Sequence, residues 1–148
     1  MSGFTITQHI KSTPEKAFVA LCDFTHAPEF HQHVVESHFL TNGPLRVGTR
    51  ISETHQVLGW KEIDEMTIIK FNPPHSMVLE EFTHGTLYRF GFEVAETYGG
   101  CKVKHVFTHT PKTLMAKITA MVFFFMNASM KKLHQQDLAE AKAYAEAL

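Results

Sequence analysis

Residues 113–148, TLMAKITAMVFFFMNASMKKLHQQDLAEAKAYAEAL, decide the fold that this sequence predicts. The segment contains no Gly and no Pro, and it is rich in Ala, Lys, Leu, Met and Glu, which are strong helix formers. It therefore predicts one long helix at the end of the chain. Pro111 stands just before the segment and separates the helix from the residues upstream.

Strand-like runs dominate the residues before this helix. Runs with alternating apolar and polar residues are separated by turn residues, for example at 42–44, 72–74 and 99–100. Connections this short favour an antiparallel sheet. The predicted strands cover residues 4–10, 34–40, 49–57, 61–71, 76–83, 86–96 and 101–110.

Two short helices are predicted between the first two strands. Ser12 or Thr13 can cap a helix near residues 14–23, and a second helix start precedes residues 27–33. The order of elements predicts an α+β fold, in which a bent antiparallel seven-stranded sheet wraps around the long C-terminal helix. The space between the sheet and this helix is the natural place for a pocket.

Four segments carry a resemblance to a known family. FLTNGPLRVGTRISET (39–54) joins a Gly-Pro turn to a Val-Gly-Thr-Arg strand start, and IIKFNPPHSMVLEE (68–81) places a Pro-Pro turn between two strands. TPEKAFVALCDFTHAPEFHQHVVES (13–37) covers the two short helices, and GGCKVKHVFTHTP (99–111) covers the last strand. Taken in their order along the chain, the four segments resemble START-like (SRPBCC) proteins of the polyketide cyclase/dehydrase type.

The resemblance implies a single START-like helix-grip domain over residues 1–148, with an internal cavity. The superfamily includes lipid carriers, plant hormone binders and aromatase/cyclases. It has no universal catalytic residue to carry over. The sequence therefore assigns no catalytic residue and leaves open whether the protein is an enzyme.

Strand alternation predicts which side chains of the last two strands face the helix. In 86–96 the aromatic residues share one face, opposite Arg89 and Glu93. In 101–110 the face that contains Cys101 and Val103 lies opposite the lysines. The cavity residues predicted on these strands are Tyr88, Phe90, Phe92, His105, Phe107 and His109.

A second candidate group lies in the strand at 49–57. Glu53 and His55 share a face with Ile51 and Val57, which places a carboxylate beside an imidazole. If this face points inward, the two side chains form the polar end of the pocket, and burial raises the pKa of the glutamate. The alternative is an outward face on which both side chains are solvated.

The first half of the C-terminal helix has apolar residues on two opposite sides. One side would line the cavity and includes Met115, Val122, Met126, Met130 and Leu133. The opposite side includes Leu114, Ile118, Met121, Phe125 and Ala128. Because a helix on one sheet needs a single apolar stripe, this second side requires another explanation.

Three explanations remain open for the second apolar side. The short helices and loops cover it, a second subunit covers it in a homodimer, or it forms a hydrophobic mouth for ligand or membrane contact. We predict no transmembrane segment, because the apolar run is shorter than the roughly 20 residues of a span and is interrupted by Lys117 and Asn127.

The histidines do not predict a metal site. The sequence contains 11 histidines, with a cluster at His26, His31, His33 and His38, but no zinc-binding spacing. His105 and His109 would lie roughly 13 Å apart along a strand. The chain also lacks the GxGxxG, Walker and GxSxG motifs. No metal and no cofactor are therefore expected.

Charge and composition limit the partners. The 14 Lys plus Arg and 15 Asp plus Glu leave a formal charge of -1, so no nucleic acid partner is expected. The N-terminal residues MSGFTITQHIK lack the basic region and the apolar run of a secretory signal. The sequence therefore predicts a cytoplasmic protein. Cys22 and Cys101 are expected to be reduced.

Three functional hypotheses follow. The first is binding or transport of a hydrophobic small molecule, of the lipid, polyketide or aromatic type, in the internal cavity. The second is a cyclase/dehydrase-like enzyme that uses Glu53, His55, Tyr88 or His109 as acid and base. The third is a protein-interaction module that uses the C-terminal helix.

Overall fold

The computed structural model describes residues 2–57 and 59–148, apart from the side chains of Val122, Phe123 and Phe125. The predicted cavity position of Val122 and the predicted stripe position of Phe125 therefore lie outside the described residues. The seven strands are β1 (Ser2–Ile10), β2 (Val34–Phe39), β3 (Arg50–Val57), β4 (Trp60–Asn72), β5 (Ser76–Thr83), β6 (Thr86–Thr97) and β7 (Gly100–Pro111). The helices are α1 (Pro14–Leu21), α2 (Ala27–Phe30), α3 (Leu114–Val122) and α4 (Asn127–Ala147), with a 3₁₀ turn at Phe123–Met126 between the last two.

All seven strands form one antiparallel sheet in the order β1-β7-β6-β5-β4-β3-β2. The register is irregular between Val34 and Glu36 in β2 and between Ile68 and Lys70 in β4, and such bulges increase the twist of a sheet. The α1 and α2 helices connect the two edge strands β1 and β2. The predicted α+β fold, with its C-terminal helix and two short helices, is confirmed.

The start of α1 follows from its capping residues. The Oγ1 of Thr13 accepts a hydrogen bond from the backbone N–H of Lys16 at 3.2 Å, and Pro14 occupies the first helical position. This helix packs against α4 through small residues, because Ala17 and Ala20 are buried and so are Ala141 and Ala145. Small side chains at the contact let the two helices approach closely.

The C-terminal half of α4 is held at one end of the sheet. The backbone N–H of Lys11 donates to Glu146 Oε1 at 2.8 Å, and the hydroxyl of Tyr144 donates to Asp23 Oδ2 at 2.7 Å. Leu138 packs here in a core with Ile10 and Val103. These contacts fix the position of α4 relative to the sheet.

The single long helix predicted for 113–148 is wrong in one respect, since the 3₁₀ turn at Phe123–Met126 separates α3 from α4. Three consecutive phenylalanines occupy this turn, and aromatic side chains lose rotamer freedom in an α-helix. The predicted cavity stripe is also wrong at Met115 and Met126, because both side chains are exposed.

Among the described residues of α3, the large apolar side chains are exposed on both predicted sides, and on the predicted cavity side Met115 is 71% exposed. Leu114 is 76% exposed and Met121 is 77% exposed, whereas Ala116 is buried. The α1 and α2 helices pack on α4 and not on α3 among the described contacts. The first of the three explanations, coverage by the short helices, is therefore wrong for these residues.

The described residues include no helix that is both long and apolar enough to cross a lipid bilayer.

Candidate functional site

A cavity of about 390 Å³ lies between the inner face of the sheet and α4. Strands β3 to β7 supply most of its wall, and α4 closes it with Met130, Leu133, His134, Asp137, Leu138 and Ala141. Its volume falls within the range of small-molecule sites. The cavity is therefore the candidate functional site.

One part of the cavity wall is apolar and aromatic. The alternation of β6 and β7 points their aromatic side chains inward, so that Phe90 lies 5.4 Å from Phe107 between ring centroids. Strands β4 and β5 contribute Met66, Met77 and Leu79 to the same wall. This surface suits an apolar ligand or an aromatic ring.

The other part of the wall contains ionisable groups from β3, β4 and β5. Glu53 and His55 point into the cavity, as do Asp64 and Glu81. The Nδ1–H of His55 donates to Asp64 Oδ2 at 2.5 Å, and its Nε2 lies 3.8 Å from Glu53 Oε1. The histidine is thus held between two carboxylates.

Burial changes the protonation of these groups. Desolvation raises the pKa of Glu53 to about 7, because the nearby His55 offsets only part of the cost of a buried charge. Desolvation and the adjacent Asp64 carboxylate raise the pKa of Glu81 to about 8. Burial by itself lowers the pKa of His55, but its hydrogen bond to Asp64 and the charge of Glu53 raise it above the ordinary value. Near neutral pH the group therefore contains both proton donors and proton acceptors.

A pair of histidines lies in the aromatic part of the cavity. The Nε2 of His105 and the Nδ1 of His134 are 3.0 Å apart, so one ring donates a hydrogen bond and the other accepts it. Phe107 packs 4.8 Å from the ring of His134 between centroids. Desolvation lowers the pKa of His105 to about 4 and that of His134 to about 3, which keeps both rings neutral near neutral pH.

Seven of the ten predicted site residues line the cavity: Glu53, His55, Tyr88, Phe90, Phe92, His105 and Phe107. The inward alternative for Glu53 and His55 is the one that the structure shows. Whether these residues bind a ligand stays a prediction.

His109 and Met126 are not among the described residues that line the cavity. Near the outer end of β7, the Nε2 of His109 is hydrogen-bonded at 2.7 Å to the hydroxyl of Ser2 on the neighbouring strand. Met126 belongs to the 3₁₀ turn and is exposed. The expected inward position is wrong for Met126. His109 lies on the same face of β7 as Phe107, with ring centroids 5.9 Å apart, but it is beyond the end of the described cavity wall.

Several cavity residues were missed, although some share a detectable pattern with their neighbours. Asp64 alternates onto the same face of β4 as the buried Met66 and Ile68. Glu81 lies on the same face of β5 as Met77 and Leu79. Their inward direction could have been found from this alternation. No sequence pattern indicates that His31, His134 and Asp137 line the cavity, because their position beside the strands depends on how α2 and α4 pack against the sheet.

The two cysteines are free and buried, as expected for reduced thiols. Burial raises the pKa of Cys22 to about 12, so this thiol is poorly suited to act as a nucleophile.

The sequence matches a family model described as "Polyketide cyclase / dehydrase and lipid transport" over residues 1–146. No curated protein sequence matches the chain.

Solved structures with the same fold have very different sequences. The di-domain ARO/CYC StfQ from the steffimycin biosynthetic pathway superposes with a TM-score of 0.80 at 14% identity, over 98% of this chain and 50% of that one. Ara h 8.0201 gives a TM-score of 0.79 at 16% identity, over 99% of both chains. Major latex-like protein 151 from Panax ginseng gives 0.72 at 10% identity, over 97% of both chains.

The chain therefore spans about half the length of the di-domain protein. At these identities the structural similarity shows a shared fold alone.

The raised pKa of Glu53 predicts a pH-dependent effect of Glu53→Gln on stability. The folded protein keeps the Glu53 proton up to about pH 7, whereas the unfolded chain releases it near the ordinary pKa of 4.5. Between these pH values the folded state binds more protons, so this residue lowers the free energy of unfolding as pH rises. Relative to the original protein, Glu53→Gln should gain up to roughly 3 kcal/mol from about pH 5 to about pH 8.

Urea denaturation of both proteins at the two pH values measures this gain. Glu93→Gln is the matched control, because Glu93 is exposed on β6, and it should show no pH-dependent gain. A Glu53→Gln effect of the same size at both pH values would contradict the protonation assigned to Glu53.

Proposed function

The chain belongs to the polyketide cyclase/dehydrase and lipid transport family, and from this premise we propose that it binds a hydrophobic small molecule in the cavity between the sheet and α4. The observation that carries the proposal is the division of the cavity wall. Phe90, Phe92 and Phe107 form an apolar surface, and Glu53, His55 and Glu81 supply polar groups elsewhere on the same wall. Sites for small molecules commonly combine an apolar lining with a few placed polar groups.

The polar groups favour one class of ligand within the family. Glu53 and Glu81 supply a hydrogen-bond donor when protonated, and an ionised carboxylate accepts hydrogen bonds. Hydroxyl and carbonyl oxygens on an aromatic or polyketide ligand match these groups. An anionic lipid headgroup would meet repulsion from the ionised carboxylates. The proposed ligand is therefore an oxygenated aromatic or polyketide molecule.

Ligand binding is tested with protein purified under mild conditions. We expect native mass spectrometry to show a bound small molecule, or a hydroxylated anthraquinone to raise the melting temperature more than a fatty acid or a phospholipid does. Phe90→Trp, which reduces the cavity, should weaken binding by about tenfold, a typical cost of overpacking.

Phe82→Trp is the control, because Phe82 lies on the neighbouring strand β5 with its side chain exposed. It should leave the affinity unchanged. The proposal fails if no bound species and no stabilisation are found, or if both substitutions weaken binding equally.

A second candidate function, acid–base catalysis, is favoured by the arrangement around His55. Because Asp64 accepts the Nδ1–H of His55, the Nε2 of the neutral ring can take a proton. On a ligand with a C–H bond next to a carbonyl group, Nε2 would remove that proton, and the electron pair would move to the carbonyl oxygen. A protonated Glu53 or Glu81 would then donate a proton to the resulting enolate. Tyr88 lines the same cavity, whereas His109 does not.

Deuterium exchange measured by NMR tests this candidate. We expect the protein to accelerate exchange of the C–H protons of an aryl β-diketone in deuterated water, and His55→Gln to slow the catalysed exchange by about 10²–10⁴-fold. His109→Gln is the control and should exchange at the original rate. A β-diketone that binds but exchanges no faster than in buffer would exclude this role.

Exposed apolar residues on α3 support the predicted homodimer through the C-terminal helical segment. Leu114, Ile118 and Met121 have no covering element among the described residues. Apolar side chains grouped in this way are typical of interaction surfaces. The second subunit would bury these side chains, which the short helices leave exposed.

Light scattering after size-exclusion chromatography tests the dimer. We expect the original protein to show a dimer mass and Met121→Asp to shift it to the monomer, since a carboxylate at the interface would lose its hydration. Val19→Asp, at a 57% exposed position of α1, should remain dimeric. A monomer mass for the original protein at all concentrations would exclude the homodimer.

A further inference from the structure

Three side chains of the kinds that bind metal ions meet beside the cavity. A ring nitrogen of His31, an oxygen of Asp137 and an oxygen of Glu140 all lie within 4.8 Å of one another. The Nδ1 of His31, Oδ1 of Asp137 and Oε1 of Glu140 are each buried from solvent, and none has a hydrogen-bond partner among the described residues. Buried polar atoms without a partner are rare in folded proteins, so this group needs an explanation.

The backbone explains why the three side chains meet. Asp137 and Glu140 are three residues apart on α4 and therefore share a face of this helix. His31 caps the C-terminal end of α2, and its backbone N–H donates to the carbonyl of Ala27 at 2.8 Å. The other oxygen of Glu140, Oε2, accepts the backbone N–H of Gln32 at 3.1 Å. This bond holds the carboxylate of Glu140 beside the loop that contains His31.

The spacing of the three groups is compatible with a bound ion between them. His31 Nδ1 and Glu140 Oε1 are 3.6 Å apart, which is long for a hydrogen bond. Two ligands about 2.1 Å from a tetrahedral ion would be separated by about 3.4 Å. The ligand atoms of all three side chains lie within 4.8 Å of one another, so shifts of up to about 1.4 Å would bring them to this spacing, given bonds of that length.

We propose that His31, Asp137 and Glu140 bind a divalent transition-metal ion through Nδ1 of the histidine and one oxygen of each carboxylate. One imidazole and two carboxylates suit ions such as Zn²⁺, Mn²⁺ and Fe²⁺. The ion would neutralise two carboxylates that are buried together, and it would satisfy the three unpaired atoms. His31 and Asp137 also line the cavity, so the bound ion would border the ligand site.

The protonation of the histidine agrees with this role. Burial lowers the pKa of His31 in spite of the neighbouring Asp137 and Glu140 carboxylates, so its ring is neutral near neutral pH. A neutral imidazole is the form that binds a metal ion. Burial raises the pKa of Asp137, so a bound ion has to displace its proton at low pH.

Isothermal titration of chelator-treated protein with Zn²⁺ alone tests the site. We expect one ion per chain at the tightest step, and a loss of affinity of at least about tenfold in Asp137→Asn and in Glu140→Gln. The result does not depend on the cavity ligand, so it can succeed or fail separately from the proposed small-molecule binding.

The exposed pair Glu36 and His38 supplies a matched control. Glu36 Oε1 lies 2.8 Å from His38 Nε2 on the surface of β2, and Glu36→Gln should leave the tightest step unchanged. This control matters because the sequence contains 11 histidines that can bind Zn²⁺ weakly at the surface.

Asp137→Asn also separates loss of the site from loss of the fold. Without metal, this variant should unfold at the same temperature as the original protein or higher, because it removes a desolvated carboxylate. With Zn²⁺, only the original protein should gain melting temperature. The proposal is overturned if Asp137→Asn binds Zn²⁺ as tightly as the original protein, or if Glu36→Gln abolishes the tight step.

Discussion

The attachment of α4 at its C-terminal end is the constraint on which the cavity depends. Ala141 and Ala145 are buried where α4 packs against α1, while Glu146 and Tyr144 are hydrogen-bonded to Lys11 and Asp23. This end of the helix cannot move away from the sheet. Nearer the N-terminal end of α4, the larger side chains of Met130 and Leu133 line the cavity. The cavity therefore lies beside the part of α4 that precedes this closely packed end.

The cavity wall contains ionisable groups that a purely structural core would avoid. An isolated buried carboxylate is costly, and the protein offsets this cost by grouping Glu53 and Asp64 around His55, and by raising the pKa of Glu81. His105 and His134 are buried in a different way, as a neutral hydrogen-bonded pair among aromatic rings. The cavity thus has two polar regions with different proton affinities. A ligand would meet donors and acceptors in the first region and neutral imidazoles in the second.

The fold could be predicted from the sequence because each element carries its own local signal. Alternation located the strands to within a few residues, and Thr13-Pro14 located the start of α1. Neither Gly nor Pro marks the break at Phe123–Met126, and the small loss of helix propensity at three phenylalanines is too weak a signal to locate it from the sequence.

The candidate site was only partly predictable, for a physical reason that differs between its parts. The alternation of side chains along β6 and β7 predicted that Phe90, Phe92 and Phe107 face the cavity, because aromatic and charged residues lie on opposite faces of these strands. The face of β3 could not be oriented in the same way, since Glu53 and His55 suit water as well as a polar pocket. His31, Asp137 and Glu140 are brought together by tertiary packing across more than a hundred residues, and no local pattern contains that information.

The ionisable group around His55 and the Asp137 carboxylate on α4 influence each other through charge. The Asp137 carboxylate contributes to raising the pKa of Glu53 and of His55, so the groups on opposite walls of the cavity share one electrostatic environment. A cation beside Asp137 would cancel that contribution and favour the ionised form of Glu53. The protonation of the cavity, and with it the balance between hydrogen-bond donors and acceptors offered to a ligand, would then depend on whether the ion is bound.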